Sequence, residues 1–262
     1  MADRFDVCHP ITAKWEGGWS NHEADPGGAT MYGVTQAVYD TWRKKRGLKT
    51  QSVRNITMQE ALIIYKENYW NACGAPDLFP GVDLSVYDAS VNSGVSRGRK
   101  WLKSSVGSND HSVTVKKICR ARLSFMQSLK IWKNFGKGWS RRVADIEVKG
   151  VAMALEAMGK SAGQIKMEAR TEAAAAEKAA ARDKTTAKAT GTTAAASATA
   201  PTVDTSNVTD GSLPIDVTTM DTTSLWIFGA VAVAALVVTV FLIIRSRAAK
   251  EREAAYKELV AA

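Results

Sequence analysis

Apolar residues recur at helical spacing from the start of the chain. Phe5, Cys8 and Ile11 share one face and Trp15 continues it, so the pattern predicts a helix over 3–15, disturbed at Pro10 and stopped by Gly17-Gly18. Residues 17–34, GGWSNHEADPGGATMYGV, are punctuated by Gly, Asn, Asp and Pro and read as a loop or short hairpin. Thr35 looks like an N-cap for a helix through Trp42. Thr57-Met-Gln-Glu60 is a capping box ahead of the helical run ALIIYKENYW. Further helices are expected over 84–93, 96–105, 112–131 and 139–158, and strand signals are few. Residues 1–160 are therefore expected to form one mainly α domain with a small β element near 18–34.

Past residue 160 the pattern fades. Residues 161–224 read as an Ala/Thr-rich linker, with 161–188 able to form helix and 189–224 too poor in large apolar groups to offset chain entropy, hence disordered. As a flexible coil of about 60 residues it spans roughly 40–45 Å. Leu225–Ile244 then runs twenty residues without a charge, about 30 Å as a helix and the thickness of a bilayer core. Trp226 stands where an interfacial aromatic belongs. Arg245, Arg247, Lys250 and Arg252 follow the span, and Asp216 and Asp221 precede it. The positive-inside rule thus expects an inner-membrane protein whose short basic tail, 245–262, is cytoplasmic and whose N-terminal domain is periplasmic. The N-terminus, with Asp3, Arg4 and Asp6 and no apolar run, does not look like a signal peptide. Ala230 and Ala234 form a small-x-x-x-small pair, a weak signal for a homodimer through the span.

Composition sharpens this division. Seven of the eight Trp lie before residue 160, and residues 1–160 hold 24 Lys/Arg against 15 Asp/Glu, equal to the whole chain's +9. A basic domain suits a polyanionic partner, either nucleic acid or the bacterial wall. Its basic groups form no aromatic-interleaved motif, and the expected topology keeps it outside the cytoplasm, so nucleic acid is not expected as a partner. Cys8, Cys73 and Cys119 are too sparse for a disulfide framework and read as buried thiols, with a Cys73–Cys119 pair left open. His9, His22 and His111 are dispersed, and no metal or cofactor is expected.

One stretch carries chemistry: Trp15-Glu16-Gly-Gly-Trp19, then Asp25-Pro-Gly-Gly-Ala-Thr30, then Gly33-Val-Thr35. A carboxyl between two tryptophans is expected to be desolvated, which raises its pKa and suits Glu16 as a general acid. Asp25, entering a polar turn, would stay ionised. Two carboxyls in contrasting surroundings suit glycoside hydrolysis. On spacing alone, a solvated helix end and a plain turn are the more ordinary readings.

The run EGGW-x5-DPGGAT-x2-GVT closely resembles the signature of the glycoside hydrolase family 108 muramidases, a branch of the lysozyme superfamily found in phage endolysins and in secretion-linked wall hydrolases. A later segment, Asp88-Ala-Ser-Val-Asn-Ser-Gly94, resembles the second half of such proteins, often labelled peptidoglycan-binding. The resemblance spans about residues 5–160. It implies a lysozyme-like fold and a wall hydrolase cutting between N-acetylmuramic acid and N-acetylglucosamine. By position it makes Glu16 the acid, with Asp25 and Thr30 holding the attacking water, although Thr30 falls one residue closer than the Thr of phage-type lysozymes. Asn92 matches a polar position implied to contact substrate. Trp19 and Tyr32, with Trp15 and Trp70, are candidate cleft aromatics or core residues. A lytic transglycosylase, which needs no Asp25, and a non-catalytic wall anchor are the alternatives. Expected partners are peptidoglycan and, through Leu225–Ile244, the lipid bilayer.

Overall fold

The computed structural model describes residues 3–20, 28–198 and 222–262 and is mainly α. Two compact units arise: residues 1–170 with 255–262, and residues 171–254.

In the first unit, α1 spans Arg4–Ala13 with Asp3 as N-cap, its carboxylate accepting from the Phe5 amide. A two-residue hairpin follows, β1 (Thr30–Met31) antiparallel to β2 (Val34–Thr35). Its turn residues Tyr32 and Gly33 have φ of 51° and 73°, the left-handed pair that matches hairpin twist. Thr35 caps α2 (Gln36–Lys45). Thr57 and Glu60 make the expected capping box at the start of α3 (Met58–Tyr65), and a wide π turn, Lys66–Asn71, carries the chain on.

The core is built around α4 (Val82–Ser93). Every residue from Val82 to Ser90 is buried, including Asp83 and Asp88, and the helix touches α1, α5 (Val95–Ser105), α6 (His111–Gln127) and α7 (Trp132–Ala157). A helix buried on all sides has no amphipathic stripe. The expected 112–131 helix stops at Gln127. The expected 139–158 helix begins seven residues early, at Trp132, where the Trp132 indole lies across Gly136; a Cβ there would sit 2.5 Å from the ring. α4 also meets α7 through glycine: a Cβ on Gly81 would lie 2.0 Å from the Gly150 carbonyl oxygen. The three cysteines are free and buried.

The second unit pairs α8 (Ala162–Ala198) with α9 (Thr222–Ala261). Ala173, Ala176, Ala180 and Ala187 are buried, Ser246 Oγ donates to the Ala180 carbonyl at 2.9 Å, Arg245 pairs with Asp183 at 3.4 Å, and Arg252 pairs with Glu172. Two expectations are corrected here. Helix α8 continues to Ala198, beyond residue 188 where disorder was expected, because alanine is the best helix former. Residues 245–261, expected as a separate tail, continue α9. The described part of that helix is long and apolar enough to cross a membrane, and Val233, Leu236, Val237 and Phe241 are exposed on it. Ala230 and Ala234 are exposed as well.

The last residues rejoin the first unit. Tyr256 is fully buried and donates to Glu147 Oε1 on α7 at 3.0 Å. A tail packed on the domain cannot lie across a bilayer from it, so the expected split between a periplasmic domain and a cytoplasmic tail does not fit this arrangement.

Candidate active site

Glu16 stands just past α1, its backbone N–H donating to the Ala13 carbonyl at 3.0 Å. Its carboxylate meets Arg142 of α7, Oε1 to Nη1 at 2.8 Å. Arg142 is the charged partner of this buried oxygen. Below it lies the hairpin turn: Tyr65 donates to the Tyr32 carbonyl at 3.0 Å, and a Cβ on Gly33 would fall 2.1 Å from the Tyr65 oxygen and 3.1 Å from Glu16 Oε2. The turn fits against Glu16 only because residue 33 has no side chain.

Arg142 is itself held. Its Nε lies 3.1 and 3.2 Å from the two Asp88 oxygens and its Nη2 donates to Asp88 Oδ1 at 2.9 Å. Arg122 of α6 approaches Asp88 from the other side at 2.5 Å and donates to Asn92 Oδ1 at 3.1 Å. Burial alone would raise the pKa of Asp88, but Arg122 and Arg142 hold it below the usual carboxylate range. Burial alone would lower that of Arg142, but Asp88 and then Glu16 push it up. Asp88 and Arg142 are thus both held in their charged forms.

Beneath the site, His9 Nδ1 lies 2.7 Å from the Tyr87 hydroxyl, and its ring stacks on Phe5 at 5.0 Å and sits 4.9 Å from Tyr65. Burial lowers the His9 pKa and raises those of Tyr65 and Tyr87, so all three are neutral near pH 7.

The other expected site residues divide. Thr30 is on β1, and its hydroxyl donates to the Gly28 carbonyl at 3.1 Å. Tyr32 takes the positive-φ turn position beside Glu16. Trp19 is 41% exposed with the Arg54 guanidinium 5.2 Å from its ring centre, free to meet a ligand. Asp25 and His22 lie outside the described residues. Trp70 is core. Trp15 donates its indole N–H to Asp145 at 3.0 Å. The surroundings expected of Glu16 are thus corrected: a guanidinium and a glycine turn, not a wall of tryptophan, face its carboxylate. Asn92 is tied to Arg122 rather than open. Arg142, Arg122 and Tyr65 were not singled out from the sequence. They lie 49 or more positions from Glu16, and no local spacing links them. Among the described residues no group of three or more His, Cys, Asp or Glu could hold a metal ion.

The model of the family described as glycosyl hydrolase 108 matches residues 10–94. The structure is also similar to that of Brucella abortus SagA, with TM-score 0.51 and 31% identity, covering 58% of this chain and 95% of that one. The chain belongs to the glycosyl hydrolase 108 family. No curated protein matches it. The family match contains Glu16, the hairpin and Asp88, and ends before Arg122 and Arg142. A glycoside hydrolase of this family therefore draws part of its candidate site from outside the matched segment.

Proposed function

We propose that this glycoside hydrolase is a muramidase that cuts peptidoglycan between N-acetylmuramic acid and N-acetylglucosamine, with Glu16 as its acid. The single observation carrying this reading is Glu16 itself: a partly buried carboxyl lodged between a fixed guanidinium and a glycine turn, in a chain of this family. Glu16 protonates the glycosidic oxygen, and Asp25, with Thr30, orients water onto the sugar carbon. Trp19 and Tyr32 meet the glycan, and the domain's positive charge suits the wall's carboxylates. Asn92, spent on Arg122, is a weaker substrate contact.

The test is product chemistry. The full chain in detergent and its Glu16→Gln variant are incubated with purified peptidoglycan, and the soluble fragments are read by mass spectrometry. Reducing N-acetylmuramic acid ends, absent with the variant, are the expected result. Anhydro ends would instead establish a transglycosylase. Binding without release by either protein would leave a wall anchor.

For the setting, the reading is that Leu225–Ile244 enters the inner membrane with its basic flank in the cytoplasm. A wall hydrolase held at the membrane suits a phage endolysin, with a secretion-linked or wall-remodelling enzyme as the alternative.

A further inference from the structure

We propose that Arg142 is a positioning residue for Glu16 and that Asp88, locked by Arg122 and Asn92, sets Arg142, so that the 88–94 motif works as a buried charge clamp on the acid rather than as a surface for the wall polymer. The inference rests on Glu16 being the acid.

Geometry carries it. A guanidinium offers its donors in a rigid planar fork. Asp88 takes the Nε and Nη2 edge of Arg142, and Nη1 is left for Glu16. Turning Nη1 away from Glu16 would break the Asp88 pair. Asp88 cannot give way either, because it is fully buried and Arg122 holds its other oxygen at 2.5 Å. Asn92, one turn further along α4, anchors Arg122. Three elements, α4, α6 and α7, thereby fix one atom of Arg142 against Glu16. The first three residues of the motif, Asp88, Ala89 and Ser90, are buried and cannot meet a polymer, and only Val91–Gly94 reach the surface.

The clamp is also the source of charge at the acid. From α7 Glu16 faces Arg142; from the α3 end and its π turn it faces Tyr65 and Tyr69, and from α4 Tyr87 is near. Burial keeps the three phenols neutral, so among these groups Arg142 alone is charged. Asp88 shares that charge. Removing Asp88 leaves Arg142 acting on Glu16 alone, which favours the anion. Removing Arg142 takes away the anion's counter-charge, which favours the neutral acid.

Hence opposite shifts are expected in the pH dependence of peptidoglycan release. In Asp88→Asn the alkaline limb moves to lower pH, and in Arg142→Gln to higher pH. Both variants lose roughly tenfold or more in kcat with little change in KM, because the wall-contacting aromatics are untouched. Arg142→Lys, which keeps charge but not the fork, restores the limb's position without restoring the rate. A merely structural role would lower the yield of active protein and leave every limb where it is. Should Asp88→Asn fail to fold, Asn92→Ala loosens the same clamp from its edge and is expected to shift the limb in the same direction as Asp88→Asn, by less. Limbs coinciding with wild type in Arg142→Gln would overturn the clamp while Glu16→Gln still abolished release. If Glu16→Gln released fragments like wild type, the hydrolase reading itself would fall.

Discussion

Gly33 is the residue on which the site's packing turns. Its φ of 73° and the Tyr65 oxygen 2.1 Å from where a Cβ would stand leave no room for alanine. Gly33→Ala is expected to destabilise the domain by about 1–3 kcal/mol. It should also cut peptidoglycan release roughly 100-fold, since displacing an acid by an ångström has that effect; melting temperature and rate measured together check both. His9 sets a pH dependence. Its folded-state pKa is depressed by burial, so the unfolded chain takes up a proton near pH ~6.5 that the folded chain refuses. Stability is complete above that pH and falls as the pH drops toward the lower folded value. Urea unfolding midpoints at pH 7.5 and 5.5 should differ in wild type and converge in His9→Gln. Arg122→Ala removes one partner of a fully buried carboxylate and is expected to cost about 3–5 kcal/mol, read as a lower denaturation midpoint.

Elements with a local signature were the legible ones. Thr35 and Thr57 announce their helices through an N-cap and a capping box, and both are realised. Thr57→Ala should therefore cost about 1 kcal/mol, measured by chemical denaturation. The hairpin was legible from its turn residues. What failed to show is what the tertiary structure alone creates. Helix α4 carries no stripe because neighbours cover most of it, so its place at the centre of the core did not show in the pattern. The first two turns of α7 were hidden by Gly136 and Gly138, which lower helix propensity although Trp132 packs on the first of them. Trp15 and Trp19 flank Glu16 in sequence, yet one turns to Asp145 and the other to Arg54. Adjacency along the chain said nothing of what its carboxylate would face.

At the scale of the whole molecule, both ends of the chain belong to one unit, tied by Tyr256 and Glu147. Tyr256→Cys with Glu147→Cys should cross-link in intact cells, and reporters fused before Met1 and after Ala262 should read the same compartment. Opposite compartments would exclude the docked tail. The clamp on Glu16 has a consequence for synthesis. Glu16 precedes the arginine that holds it by 126 residues along the chain. A nascent chain, or one broken off after the family-matched segment ends at residue 94, carries the acid but not its holder. On the proposed mechanism, a chain without α7 therefore stays inactive however complete its family-matched segment.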